Sequence, residues 1–280
     1  MNNHIKQSPM LSLLSLGGGS HSTLVRAAGG GSGGGGGSGL VTANLRQHID
    51  FGDTNCYNSS VSTTAVTDLS GNSCNAVISQ TTHLSFSSSD GGHVILDPSA
   101  TSNLPVLYQS SDIWNNLGTG DYTLEFWFNL YGKAQTHMLY RDNYAGINVH
   151  VFVEQGRWAV ANGFSGGFIY ENQATKSFTN NDSYSGWKQM VISRSGSDLK
   201  FYKNGALMNN ISQTETATTN YTNNSFSANS YSAALWTLVN FGTYHFTGKF
   251  AIFRFYRSKG LSATEVQQNY DFQKARFGLS

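Results

Sequence analysis

The sequence has little charge, little proline and little cysteine. Lysine, arginine, aspartate and glutamate make up 12% of its 280 residues, and the formal net charge is +1. A chain with so small a charge and no run of basic residues lacks the electrostatic footprint of a nucleic-acid binder. The early apolar run 10–16 is interrupted by serines and is far too short to span a membrane as a helix. We therefore expect neither nucleic-acid binding nor membrane insertion.

The two cysteines, Cys56 and Cys74, are too few for a disulfide framework. Both lie in turn-rich sequence, where neighbouring strands can bring such residues together. We expect two reduced thiols, and a single disulfide is the alternative.

Aromatic residues and small polar residues are abundant instead. Phenylalanine, tryptophan and tyrosine account for 13% of the chain, which also contains 31 glycines and many serines, threonines and asparagines. This balance is typical of an all-β protein with an aromatic core, an uncharged polar exterior and many turns. The length suffices for one large β-sandwich.

The first 39 residues differ in character from the rest. Glycine runs at 17–19 and 29–39, broken only by serine, are typical of linkers that bury almost no surface. We interpret 1–39 as an anchoring arm, whose apolar residues contact partner proteins or further copies of the chain while glycine lets the backbone pass through narrow gaps. A floppy tail is the alternative. The apolar residues of the arm are Met10, Leu11, Leu13, Leu14, Leu16, Leu24 and Val25.

Strand patterns fill the domain that begins at residue 40. The block 121–130 alternates with a period of two, which predicts a strand with one apolar face. That face carries Tyr122, Leu124, Phe126, Phe128 and Leu130. A second block, 187–205, predicts a hairpin that ends in the turn dipeptide Asn204-Gly205.

The chain ends with an alternating strand and one short helix. The strand, 248–257, is predicted to place Phe250, Ile252, Arg254 and Tyr256 on one face. Ser262 and Glu265 have the spacing of a capping box, which predicts the first turn of a helix. The residues at helical spacing after this cap are Val266, Asn269, Tyr270 and Gln273, and we expect Val266 and Tyr270 to pin the helix.

This ending resembles the C-terminal end of laminin-G/concanavalin A-like domains, especially those in structural proteins of bacteriophages and other viruses. The Asp68-Leu69-Ser70-Gly71-Asn72 block and the two strand blocks resemble the same family. The resemblance covers roughly residues 40–278. It implies a concanavalin A-like jelly-roll β-sandwich over 40–280, with one short C-terminal helix and an extended glycine-rich arm before it. It also implies a virion as the setting.

Some relatives of this family are glycoside hydrolases, which need two carboxylates flanking the scissile bond. The family presents them on one strand as ExDxxE. The corresponding strand here, 125–130, has only Glu125, because Trp127 and Leu130 occupy the positions of the two further acids and Asn129 adds no acid. We expect no enzyme activity, and we expect Glu125 to face outward or into a groove beside Trp127.

A calcium site is the better chemical candidate, although no cofactor is required. Asp50, Asp53, Asp68 and Asn72 offer hard oxygen ligands on two neighbouring loops. The alternative is that these side chains only accept hydrogen bonds within their own turns.

A glycan site is predicted from aromatic and amide side chains, because sugar rings stack on aromatics and bond to amides. The candidate residues are Tyr140, Tyr144, Asn148, Asn162, Phe164 and Tyr170.

Two functional hypotheses follow. The first is a virion structural protein, which is a capsid decoration, a fibre or a tail-associated protein. It binds other virion proteins through residues 1–39 and displays its sandwich on the virion surface for adhesion to host glycans. It forms a homo-oligomer if arms of several copies join. The alternative is a secreted or cell-surface lectin-like carbohydrate-binding module.

Overall fold

The computed structural model describes residues 39–97, 105–109, 120–131, 136–142, 149–154, 157–162, 168–170, 186–196, 198–208, 233–235 and 246–280. The chain divides into the units Met1–Gly35 and Gly36–Ser280, and every described residue belongs to the second. The apolar residues of the predicted arm lie outside the described residues, so the arm and its boundary stay predictions.

Strands dominate the described part of the chain. They are, in order, β1 Leu45–Asp50, β2 Ala65–Val66, β3 Ala76–Ile78, β4 Leu84–Ser87, β5 His93–Leu96, β6 Leu107–Gln109, β7 Tyr122–Leu130, β8 Thr136–Asp142, β9 Val149–Glu154, β10 Arg157–Asn162, β11 Phe168–Tyr170, β12 Lys188–Ser195, β13 Asp198–Lys203, β14 Ala206–Leu207, β15 Ala233–Leu235 and β16 Gly248–Arg257. Helix α1 is Ala263–Gln273, and two 3₁₀ turns span Ser89–Gly91 and Lys274–Phe277.

The strands form two antiparallel sheets. Sheet A has the order β14-β13-β12-β7-β16-β5-β4, and β1 pairs with β16 beside β5. Sheet B has the order β11-β10-β9-β8-β15-β6-β3-β2. This arrangement confirms the predicted all-β sandwich with one short C-terminal helix.

The main hydrophobic core lies between the two sheets. Sheet A contributes Phe126 and Ile192, and sheet B contributes Leu107 and Val151, all of them fully buried. The predicted apolar face of β7 is confirmed, because its five residues all belong to this core. They are Tyr122, Leu124, Phe126, Phe128 and Leu130.

A β-bulge in β16 changes which of its residues face the core. The pairing of β16 with β7 shifts register between Phe250 and Ile252. As a result Phe250 packs in the same core as Phe253, whereas Ile252 packs on the opposite face of the sheet. The prediction that Phe250 and Ile252 share a face was wrong, because a bulge inserts one residue and reverses the alternation.

Helix α1 covers the outer face of sheet A, opposite sheet B. Its N-terminus has the predicted capping box, in which the Ser262 side chain accepts from the Glu265 backbone and the Glu265 side chain accepts from the Ser262 backbone. Val266 and Tyr270 are buried against the sheet, as predicted. The described part of the chain has no helix long and apolar enough to cross a membrane.

Two local predictions are also confirmed. Asn204 and Gly205 form the two-residue turn between β13 and β14, with φ values of 51° and 80°. Cys56 and Cys74 are both buried thiols and are not joined by a disulfide.

Candidate functional site

The strand that carries acids in enzyme relatives carries a buried ion pair here. Glu125 lies in the middle of β7, and its carboxylate is fully buried. The Nη1 atom of Arg254, on the neighbouring strand β16, lies 2.8 Å from Glu125 Oε1. The expectation that Glu125 faces outward or into a groove was wrong, because α1 covers this face of sheet A. Its predicted position beside Trp127 is correct.

Neutral donors complete the shell around this carboxylate. Trp127 Nε1 and Gln189 Nε2 donate to Oε1 at 2.9 and 3.0 Å, and Asn269 Nδ2 of α1 donates to Oε2 at 2.8 Å. Such bonds offset the cost of removing two charges from water. Burial and the Glu125 charge together raise the pKa of the nearby Tyr256 hydroxyl far above its usual range.

An aromatic cluster, which includes residues near the C-terminus, covers the same outer face of sheet A. The indole of Trp127 stacks against the rings of Tyr270 and Phe277, with centroid separations of 5.9 and 4.7 Å. Phe277 also packs against Trp187 at 4.5 Å. Glu125 therefore has no access to a sugar ring. Hydrolysis by two carboxylates flanking a bond has no geometric basis at this strand.

The loop acids proposed for calcium are engaged in bonds of their own. Both carboxylate oxygens of Asp50 accept from Arg276 Nη1, at 2.8 and 2.7 Å. Asp50 also accepts from the backbone of Gly52, and Asp53 accepts from the backbone of Asn55. The bonds from Gly52 and Asn55 are the turn bonds of the alternative interpretation, whereas those from Arg276 join distant parts of the chain.

The second loop has the same character. Asp68 accepts from the backbone N–H groups of His48, Ser70 and Cys74, and Asn72 donates to the Leu45 carbonyl. Among the described residues, no three His, Cys, Asp or Glu side chains are grouped closely enough to hold a metal. The donors as arranged do not form a calcium cage, and calcium binding stays a prediction.

The glycan candidates fall in sheet B where they are described. Tyr140 lies in β8, Asn162 at the end of β10 and Tyr170 at the end of β11. Strands β10 and β11 are neighbours, whereas β9 separates β10 from β8. Tyr144, Asn148 and Phe164 lie outside the described residues, so the grouping of the six stays a prediction.

Sequence reasoning missed the partners of Glu125. A signal was present, because Arg254 occurs inside an apolar strand and Asn269 on the buried stripe of α1. A polar residue at such a position usually has a buried partner. The sequence does not say which partner, since Gln189, Arg254 and Asn269 are far apart along the chain.

The two antiparallel sheets packed on one core define the class of all-β sandwiches. The chain belongs to the concanavalin A-like lectin/glucanases superfamily, whose laminin-G-type family model matches residues 107–267. A search of curated proteins found no match.

Solved structures share this fold at low sequence identity. The binding domain of botulinum neurotoxin DC, solved with rat synaptotagmin II, has a TM-score of 0.62 and 10% identity, over 83% of this chain and 52% of that one. A structure of botulinum neurotoxin type C, whose cell entry depends on interaction with two ganglioside molecules, has a TM-score of 0.60 and 13% identity, over 82% of this chain and 51% of that one. The chain thus spans about half the length of these neurotoxin chains.

A shorter neighbour matches over nearly its whole length. Domain 4 of AbnA, a GH43 extracellular arabinanase from Geobacillus stearothermophilus solved in complex with arabinotriose, has a TM-score of 0.54 and 14% identity. The match covers 81% of this chain and 98% of that domain. At these identities the likeness is one of fold.

Proposed function

We propose that this protein binds glycans without cleaving them. The observation that carries the proposal is the burial of Glu125. The acid on the strand that enzyme relatives use for catalysis is fully buried and paired with Arg254. Because this carboxylate holds α1 in place, it is not available for hydrolysis. The sandwich itself can still carry a glycan-binding site.

Two of the solved neighbours support the choice of ligand class. One is described by its interaction with gangliosides and another by its complex with arabinotriose. For this chain, Tyr140, Asn162 and Tyr170 in sheet B are the described residues that we propose for contacts with sugar.

A glycan array tests the binding proposal. The full chain is applied to the array once with calcium and once with a chelator, which also tests the calcium prediction. We expect at least one class of oligosaccharide to retain the chain. Absence of binding under both conditions would refute the proposal.

We further propose that the protein is displayed on a virion surface and is anchored there through residues 1–39. The support is the sequence of the arm, with its apolar residues and glycine runs, and the likeness of the C-terminal end to viral structural proteins. Other virion proteins, or arms of further copies, are its proposed partners. The alternative is a secreted or cell-surface lectin-like module.

Deletion of residues 1–39 separates these two settings. The truncated chain is expected to lose incorporation into particles while the particles still form. Normal incorporation of the truncated chain would rule out anchoring by the arm, and failure of the full chain to enter particles would favour the lectin-like module.

A further inference from the structure

Where the chain enters the domain, residues 39–41 are hydrogen-bonded to α1 and to sheet A, and we call this arrangement the clamp. The backbone N–H of Val41 donates to Asn269 Oδ1 at 2.9 Å, and Gln268 Nε2 donates to the Gly39 carbonyl at 2.6 Å. The Val41 carbonyl accepts from the hydroxyl of Tyr256, at 3.0 Å. Residues 39–41 are therefore bonded on both sides, to the helix and to sheet A.

This clamp is part of the buried network around Glu125. Asn269 is fully buried, and its Nδ2 donates at 2.8 Å both to Glu125 Oε2 and to the Tyr256 hydroxyl. Val41 also packs in one apolar cluster with Val266 of α1. Release of Val41 would leave the buried Asn269 Oδ1 without its donor and the Tyr256 hydroxyl without its acceptor, which is costly.

The end of the chain lies against the same face. Leu279 packs on the aromatic cluster of Trp127, Tyr270 and Phe277. The Tyr270 hydroxyl donates to the Ser280 carbonyl at 3.4 Å. Sheet B lies on the other side of sheet A, across the main core.

We propose that the clamp fixes the direction in which the domain is presented. Whatever holds the chain near residue 39 holds it at the outer face of sheet A, beside α1, and sheet B points away from that attachment. This inference rests on the proposed function, since it makes sheet B the side that meets glycans. Glu125 and Asn269 then serve as anchors of the arm's root, in place of a catalytic role.

Hydrogen exchange at the Val41 amide tests the clamp in the full chain. We expect exchange about 100-fold slower than in an unstructured chain, because opening must break several buried bonds. Asn269→Ala should remove most of this protection, and Phe272→Ala, at an exposed position of the same helix, should leave it unchanged. If Asn269→Ala does not fold, Gln268→Ala should cost about threefold to tenfold in protection.

Directed tethering tests the direction of presentation. Phe272 on α1 is 44% exposed, and Val77 on β3 of sheet B is 47% exposed. Val77 points away from the core, because its neighbours Ala76 and Ile78 are buried in it. A Phe272→Cys chain and a Val77→Cys chain are each attached to a maleimide surface, and capture of a glycan found on the array is measured.

The native cysteines do not interfere with this attachment. Cys56 and Cys74 are both buried, and burial raises the pKa of the Cys56 thiol to about 12. Since the thiolate is the reactive form, the engineered cysteine should react first.

The outcomes separate this inference from the proposed function. Capture by the Phe272-tethered chain with at least tenfold less capture by the Val77-tethered chain supports it. Equal capture, or the reverse order, overturns it. If the array finds no glycan, glycan binding itself fails, and the protection of Val41 decides whether the clamp exists. An unprotected Val41 amide overturns the inference whatever the glycans do.

Discussion

At the scale of single residues, Glu125 is the side chain on which the proposed function most depends. The family resemblance matches its strand to the one that carries the acids of glycoside hydrolases, yet Arg254 and three neutral donors enclose it. The same side chain therefore supports the fold, and its loss should be measured as stability.

We predict that Glu125→Gln destabilises the protein by about 3–5 kcal/mol, because Arg254 is left as an uncompensated buried charge. Urea unfolding of the wild-type and variant chains measures this difference. Asp53→Asn, in a surface loop, is the control and should change stability by less than about 0.5 kcal/mol. A loss below about 1 kcal/mol for Glu125→Gln would mean that the buried ion pair does not stabilise the fold.

The residue scale also shows where sequence reasoning stops. The position of Glu125 beside Trp127 follows from the strand pattern, since residues two apart share a face. The burial of Glu125 depends on α1, which lies about 140 residues further along the chain. No pattern in the neighbouring sequence indicates that this helix covers it.

At the scale of elements, Arg276 ties the C-terminal 3₁₀ turn to two loops. Its guanidinium donates to the carbonyls of Asp90 and Gly92 and to the carboxylate of Asp50. The loops approach so closely that a Cβ on Gly92 would lie 2.5 Å from the Gly52 Cα. Only glycine fits at that crossing.

Two glycine substitutions separate backbone strain from crowding at this crossing. Gly92 and Gly71 both have positive φ values, 100° and 83°, but a Cβ on Gly71 would meet nothing within 4 Å. We predict that Gly71→Ala costs about 1 kcal/mol and Gly92→Ala about 2–4 kcal/mol. Thermal unfolding of both variants gives the comparison, and equal losses would contradict the close approach of the loops.

Two histidines next to this turn should make stability depend on pH. Burial, Arg254 and Arg276 lower the pKa of His48 well below its usual value. Burial also lowers the pKa of His93, and the charges of Lys249 and Arg276 lower it further. The hydrogen bond to Ser89 and the charge of Asp90 act in the opposite direction and do not cancel this shift. Both side chains therefore bind a proton more readily in the unfolded chain.

We predict that the free energy of unfolding falls as the pH drops below about 6.5, where unfolded histidine gains its proton. The slope should reach at most about 1.4 kcal/mol per pH unit for each histidine. Urea titrations between pH 7.5 and 5.5 measure it, and His48→Gln should flatten the curve. A slope that is unchanged in this variant would exclude His48 as a source.

The bulge in β16 marks the limit of element-level prediction. Alternation and capping correctly located the closing strand and the start of α1, because both depend on neighbouring residues. A single extra residue at Ala251 then moved Phe250 into the core. The alternating pattern alone cannot locate such an insertion, since an aromatic residue is acceptable on either buried face.

At the scale of the whole molecule, the sandwich was predictable and its ligand side was not. The strand blocks and the helical ending identify the superfamily to which the chain belongs. Of the candidate glycan residues, Tyr140, Asn162 and Tyr170 lie in strands of sheet B, and spacing along the chain does not determine which of the six are close in space. Their grouping therefore needs a binding experiment.

The most direct test of the account is whether the full chain binds a glycan and leaves it intact. The array identifies the oligosaccharide, and mass spectrometry of that oligosaccharide after incubation with the protein shows whether it was cleaved. We predict retention of the chain by at least one oligosaccharide, competition by the same sugar in solution, and no hydrolysis products. Cleavage that Glu125→Gln abolishes in a folded chain, or a complete lack of binding, would contradict it.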